Sequence, residues 1–281
     1  MLTAEKEGGQ IKAHNYWDAK HYGPMRLEFL SEKRASLDLE KIRKHRQRPS
    51  LNGRRSTDGP SLARLDPHAS SNPNTNSTSS SSEQPFVIVR KLALSHEGYP
   101  FERMRELTQL QYSSWPDFGA PASPAHLLGL VEQCDTVVKM TSSAHNNEPE
   151  APDSRPVLVH CSAGCGRTGT FCTVDTVIDM LKRQRMNRRT ARQGSPMQVD
   201  RRSSGIMQDS SPFFASATTA QQDDDEDIDG AWVMRDDQDL IEKTVESFRH
   251  QRISMVQSLR QFVLCYESVM EWIVEQEQGD D

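Results

Sequence analysis

Apolar spacing divides the chain into short strands and amphipathic helices, separated by two long polar stretches. Phe86 to Leu94 carries the β-branched run Val87, Ile88 and Val89, which predicts a strand. Met25 to Ser31 and Met104 to Tyr112 read the same way. Ser123 to Met140 sets Leu127, Leu128, Val131, Val137 and Val138 at helical spacing, an apolar stripe on one helix face. Pro156 to His160 is apolar in pattern and reads as a central strand buried on both faces. Thr168 to Arg183 predicts a helix that buries Phe171, Val174, Val177, Ile178 and Leu181, and Asp239 to His250 and Val256 to Gln276 predict two closing helices. Strands alternating with helices give an α/β fold: a mixed twisted sheet flanked by helices.

The polar stretches account for the composition. Hydrophobic residues make up 35% of 281 positions and the mean hydropathy is -0.74, low for a compact domain of this length. The first stretch, 39–85, opens on Lys41, Arg43, Lys44, Arg46 and Arg48 and ends in the run Ser77 to Ser82. The second, 184–235, is basic at its front (Arg185, Arg188, Arg189, Arg192, Arg201, Arg202) and acidic from Asp223 to Asp227. Such segments bury too little apolar surface to offset the entropy of ordering, so both are expected to be disordered insertions in a single domain spanning 1–281. Arg54-Arg55-Ser56 and Arg201-Arg202-Ser203 match basophilic kinase patterns, and Ser195-Pro196 and Ser211-Pro212 match proline-directed ones. Patterns this short recur by chance. Solvated filler is the favoured reading, with kinase regulation of the insertions as the alternative.

Charge and cysteine usage narrow the setting. A net charge of -6 gives no sign of nucleic-acid binding. No apolar run reaches membrane-spanning length and no secretory signal opens the chain at Met1. The Asn76-Ser77-Thr78 sequon is therefore read as chance. Five cysteines, one of them needed in reduced form, point to a reducing compartment, cytoplasmic or nuclear.

The densest chemistry lies in Val157-Leu158-Val159-His160-Cys161-Ser162-Ala163-Gly164-Cys165-Gly166-Arg167-Thr168-Gly169. An apolar segment runs into a loop of small residues and then into a helix. Ser162, Ala163, Gly164, Cys165 and Gly166 let successive backbone N–H groups turn inward as an anion-binding nest. The helix start adds its positive end. Arg167 adds a planar fork matched to two phosphate oxygens, and Thr168 adds a hydroxyl. Together these favour Cys161 as a thiolate, the nucleophilic form. A buried structural cysteine beside a glycine turn is the bland alternative. A metal site at Cys161 and Cys165 lacks a second ligand pair at zinc spacing, so no metal or other cofactor is expected.

At these residues the chain resembles the protein tyrosine phosphatase family, whose signature loop is close to residues 160–171. Two further stretches agree, in the family's order. Tyr112 to Pro121, with Trp115-Pro116-Asp117, is similar to the mobile loop that carries the general acid, and Met255 to Phe262 to the glutamine loop. The chemistry is consistent: a leaving tyrosine oxygen needs a proton, and a carboxyl such as Asp117 can supply it. Taken singly, Asp117 is an ordinary turn residue and Gln257 and Gln261 are polar positions on an amphipathic helix. The resemblance implies that Gln257 and Gln261 place the hydrolytic water, with His160 and Trp115 supporting. Met1-Leu2-Thr3 through Tyr16-Trp17 also resembles the family, which implies that Glu7 orients Arg167 and that Lys12 approaches Asp117.

In the family this opening stretch lies inside the catalytic domain, after a tyrosine-recognition loop. The chain is thus expected to be an incomplete domain, similar to the family over residues 1 to about 35, 86–184 and 236–275. The implied activity is hydrolysis of protein phosphotyrosine through a phosphocysteine intermediate. The alternatives are a weak or inactive phosphotyrosine-binding fragment and a dual-specificity enzyme. A phosphoinositide phosphatase fits poorly, because the loop interior Ser162 to Gly166 carries no lysine.

Overall fold

Four antiparallel strands form the sheet on which the rest of the chain packs. The computed structural model describes residues 1–18, 20–47, 85–140, 156–193, 230–235 and 237–278. The chain opens with a small hairpin, β1 (Lys6–Glu7) and β2 (Gln10–Ile11). Its two-residue turn is Gly8-Gly9, with φ of 55° and 81°. Two successive positive φ values are the geometry that favours glycine at both positions of a tight hairpin. The sheet follows: β3 (His21–Tyr22), β4 (Met25–Ser36), β5 (Phe86–His96) and β6 (Arg105–Gln111), in the order β3-β4-β5-β6. β4 and β5 pair from Met25↔His96 to Ser36↔Phe86, with a bulge between Phe29 and Ser31.

The helices are α1 (Leu39–Gln47), α2 (Pro124–Lys139), α3 (Gly166–Gln193), α4 (Leu240–Gln251) and α5 (Leu259–Gln278), with a 3-10 turn at Gly230–Met234. Local sequence explains their starts. Ser123 caps α2 by accepting from the Ala125 N–H at 3.2 Å, with Pro124 in the first turn. Asp239 caps α4 by accepting from Ile241 and Glu242 at 2.9 and 3.0 Å. Ser258 and Gln261 form a reciprocal capping box at α5: the Gln261 N–H donates to Ser258 Oγ at 3.2 Å, and the Ser258 N–H donates to Gln261 Oε1 at 3.3 Å.

The main core lies between the sheet and the helices. Ala35, Val87 and Val89 from the strands meet Leu127, Leu128 and Val131 of α2, Phe171, Val174, Val177 and Ile178 of α3, and Leu264, Val269 and Trp272 of α5. A smaller cluster, Met1, Trp17, Leu27 and Leu92, forms a second core beside it. The predicted stripe on α2 is buried apart from Val137, and Leu181 is half-buried; both still pack on the core. Among the described residues no helix is long and apolar enough to cross a membrane.

Gly129 makes a close approach possible. A Cβ there would lie 2.0 Å from the Leu37 carbonyl oxygen, so α2 rides directly on the backbone after β4. Gly129→Ala gains about 1 kcal/mol of helix propensity, but it must push two backbones apart, at a cost of about 1–3 kcal/mol or more. The expected outcome is net destabilisation, read as a lowered thermal midpoint. An unchanged or raised midpoint would show that the segment at Leu37 yields freely.

The α/β class stands, while three details differ from the sequence reading. All strand pairings among the described residues are antiparallel. Pro156 to His160 is extended but joins no ladder, and Val157 and Leu158 are exposed. An apolar run becomes a strand only where neighbours offer partners along its edges. Here the Leu2 N–H donates to the His160 carbonyl at 2.8 Å, and the paired sheet runs elsewhere. The polar stretches also start later and end earlier than their composition implied. α1 occupies the front of the first because Leu39 and Ile42, three apart, are buried, and Arg43 pairs with Glu275 at 2.8 Å. α3 runs on to Gln193, and the Gln184 side chain donates to the Val233 carbonyl at 2.6 Å, tying the 3-10 turn to it. The serine and acidic runs, the kinase-like patterns and the sequon lie outside the described residues.

Candidate active site

Cys161 ends the extended segment and lies at the mouth of α3, 6% exposed. The loop from Cys161 to Gly166 curls so that the Gly164 N–H donates to the Cys161 sulfur at 3.2 Å, with Gly164 at φ 69°. Ser162 and Ala163 are exposed on the rim, whereas Cys165, Gly166, Arg167 and Thr168 are buried. Burial alone would raise the Cys161 pKa. The Thr168 hydroxyl and the N–H groups of Thr168, Cys165 and Gly164 outweigh it, and the net shift is downward. The Thr168 hydroxyl lacks a fully formed hydrogen bond, so its pull on the sulfur comes from proximity of its dipole. Half-buried Cys172 and buried Cys265 lack this set of donors, and desolvation pushes both up to about 12.

Arg167 is completely buried, and groups from distant parts of the chain surround it. Its Nη1 donates to the Glu7 carboxylate at 2.5 Å and to the Trp115 carbonyl at 2.8 Å; its Nη2 donates to Asp117 Oδ1 at 3.2 Å. Its Nε is buried with no partner in the resting site. A buried, unpaired, cationic donor is costly, and a ligand oxygen in the nest would satisfy it.

Asp117 sits on the loop between β6 and α2. Trp115 anchors that loop: it is fully buried, and its indole N–H donates to the Gly119 carbonyl at 3.0 Å. The other carboxylate oxygen of Asp117 accepts from Lys12 Nζ at 2.9 Å. The Lys12 hydrogen bond, with help from the charges of Arg167 and Lys12, holds the Asp117 pKa below its ordinary value. Glu7 ends β1 and Lys12 follows β2, so a single glycine turn brings a carboxylate to Arg167 and an ammonium to Asp117.

Gln257 and Gln261 reach the nest from the opposite side. A Cβ at Gly166 would stand 2.8 Å from Oε1 of each. Gln257 precedes α5 rather than lying on it, a correction to the helical spacing expected. Gln261 is buried, and its Oε1 also accepts from the Gln257 N–H at 3.0 Å, so its oxygen serves the backbone while its Nε2 has no partner. The Ser-x-x-Gln spacing from Ser258 to Gln261 was the available signal for this cap. Close backbone approach holds the segment in place: a Cβ at Gly169 would meet the Val256 nitrogen at 2.5 Å. Among the described residues, the two non-glycine positions with positive φ, Phe118 at 55° and Val256 at 57°, follow Asp117 and precede Gln257. For a β-branched residue this costs about 1–3 kcal/mol, which the buried surroundings impose.

Two participants went unread in the sequence. Arg252, just past α4, donates from Nε to the Cys165 sulfur at 3.1 Å and from Nη2 to the Ala163 carbonyl at 2.8 Å, bracing the outer edge of the loop. Tyr16 lies 2.9 Å from His160 Nε2. Neither carries a local signal, because each acts through tertiary contact. Among the described residues no group of three or more His, Cys, Asp or Glu side chains could hold a metal ion.

A model of the protein-tyrosine phosphatase family matches residues 68–206, which hold both the Asp117 loop and the Cys161–Arg167 nest. Human tyrosine-protein phosphatase non-receptor type 18 is 48% identical over 98 residues, 35% of this chain and 18% of that protein. Tyrosine-protein phosphatase 3 of Saccharomyces cerevisiae is 29% identical over 185 residues, 66% of this chain and 15% of that protein. The chain thus spans a small part of the length of these curated relatives. The solved structure of PTPN18 in complex with HER2 phosphopeptides covers 97% of this chain and 61% of its own, at a TM-score of 0.47 and 20% identity. By the family model and these relatives, the chain belongs to the protein-tyrosine phosphatase family.

Proposed function

We propose that the chain carries the catalytic site of an enzyme that hydrolyses phosphotyrosine in proteins through a phosphocysteine intermediate. The observation that carries this is the convergence on one nest of a thiol lowered in pKa, a buried arginine with an unpaired Nε, and a carboxylate held at that arginine. The Cys161 thiolate attacks phosphorus, and the bond from phosphorus to the tyrosine oxygen breaks. The loop N–H groups and Arg167 hold the equatorial oxygens. Asp117 protonates the departing phenolate, then takes a proton from the water that hydrolyses the phosphocysteine. Gln257 and the amide nitrogen of Gln261 orient that water. No step requires a metal.

In the resting site Asp117 is ionised, held by Lys12 and Arg167. An incoming phosphate dianion draws Arg167 to itself and sets negative charge beside Asp117. Both changes raise the Asp117 pKa and ready it as an acid. Need for a free thiolate fits a reducing compartment, and the substrate class follows the family to which the chain belongs.

Asp117→Ala tests this. Turnover of an aryl phosphate with a poor leaving group should fall about 10²- to 10⁴-fold, the usual scale of general acid catalysis. An activated leaving group should lose much less, because it departs without a proton. Equal losses on both substrates would assign Asp117 to loop structure alone.

A further inference from the structure

Arg90 lies on β5, 5% exposed, and has no part in the chemistry above. Its guanidinium stacks on the Trp17 ring at 4.0 Å and donates from Nε to Glu32 at 2.7 Å. Its Nη1 reaches two side chains of β6, Gln109 Oε1 at 3.0 Å and Gln111 Oε1 at 2.6 Å. Both glutamines belong to one face of β6, being two apart, and the antiparallel register sets Gln109 directly opposite Arg90.

Arginine can only donate. Both amides are therefore fixed with oxygen toward Arg90 and nitrogen away from it. Gln109 Nε2 then donates to Tyr16 Oη at 2.8 Å. Tyr16 Oη stands 2.9 Å from His160 Nε2, and His160 Nδ1 stands 3.2 Å from the Cys161 carbonyl oxygen. That carbonyl can only accept, so Nδ1 must carry a proton. Burial holds His160 below its ordinary pKa, which leaves the ring neutral. With its single proton on Nδ1, the ring accepts at Nε2 from the Tyr16 hydroxyl. Every bond of the chain from Arg90 to Cys161 thus runs in one direction.

A second branch leaves the same guanidinium. Gln111 Nε2 donates to the Thr3 carbonyl at 3.2 Å, and the Thr3 hydroxyl donates to Glu7 Oε1 at 2.8 Å, the carboxylate that holds Arg167. One buried cation thereby anchors both the nucleophile and the partner of the phosphate-binding arginine.

We propose that Arg90, acting through Gln109 and Tyr16, is a positioning residue: it sets the direction of a hydrogen-bond chain that holds His160 in its Nδ1–H form and thereby fixes the backbone of Cys161. The consequence for catalysis rests on the phosphatase reading; the consequence for His160 does not.

Gln109→Glu in the full 281-residue chain separates direction from packing, because the shape is nearly kept. A carboxylate accepts from Arg90 but cannot donate to Tyr16. The Tyr16 hydroxyl turns toward it, His160 loses its donor, and the imidazole proton moves to Nε2, leaving a bare Nδ1 against the Cys161 carbonyl. Long-range ¹H–¹⁵N correlation of the His160 ring should show Nδ1–H in the wild type and Nε2–H in the variant. Turnover of an aryl phosphate should fall about 10- to 100-fold, the scale of a small misplacement of a reacting group. In a Tyr16→Phe background the same substitution should add little, because the link is already cut. Should Gln109→Glu not fold, Tyr16→Phe alone should release the ring from its single Nδ1–H form. The proposal is overturned if wild-type His160 carries its proton on Nε2, or if either variant leaves the Nδ1–H signal unchanged. A wild type that fails to hydrolyse any aryl phosphate, yet shows the proton shift on Gln109→Glu, would refute the phosphatase reading and uphold the chain.

Discussion

Cys161→Ser is expected to reduce hydrolysis of an aryl phosphate by about 10⁴-fold or more, the scale on which an enzyme feels the loss of its nucleophile, while leaving phosphate-analogue binding in place. The two side chains are nearly the same size, so the nest keeps its shape. What changes is ionisation. Burial opposes a charge at position 161, and the Thr168, Cys165 and Gly164 donors overcome it only for a group already inclined to lose its proton. A thiol is such a group near neutral pH and a hydroxyl is not. The Gly164 N–H and the unpaired Arg167 Nε do not depend on sulfur, so a tetrahedral oxyanion should still bind. The check is steady-state turnover beside vanadate binding, for both proteins at the same pH. Turnover within tenfold of wild type would remove Cys161 from the role of nucleophile.

That residue was legible because its surroundings are local. The loop from Cys161 to Arg167 lies within one turn of chain, and small residues bracketed by a cysteine and an arginine specify the nest without help from the rest of the fold. The α2 helix and its apolar stripe were legible for the same reason. What escaped was information held across the chain. Arg252, Tyr16, Gln109 and Arg90 are polar residues of ordinary appearance: Arg252 acts only when the end of α4 meets the nest, and the others only when β5, β6 and the opening segment come together. Pro156 to His160 shows the opposite case, an apolar run whose pattern was strong but which pairs with no strand among the described residues. Val256 shows a third. No sequence rule would assign positive φ to a β-branched residue, yet packing of Met255-Val256 on Gly169 imposes it and delivers Gln257 to the nest.

Arg167→Lys tests whether this nest demands shape as well as charge. Lysine keeps the positive charge but replaces a planar fork by a point. The fork has three separate duties here. Nη1 ties Glu7 to the Trp115 carbonyl, so it couples the opening hairpin to the acid loop. Nη2 holds Asp117, and Nε is buried without a partner. An ammonium has three donors on one atom and cannot span these positions together. If it turned to Glu7 or Asp117, the buried Trp115 carbonyl would lose its donor, at a cost of about 1–3 kcal/mol, and the phosphate would lose a two-point grip. Loss of one such transition-state donor costs about 10²- to 10³-fold in turnover, and misplacement of Asp117 adds to it. The expected signature is a fall in kcat well beyond any rise in KM, because a dianion still attracts an ammonium but its equatorial oxygens are no longer held in the geometry of transfer. A variant with near-wild-type kcat and a raised KM would mean that Arg167 supplies attraction alone. The unpaired Nε would then need another explanation.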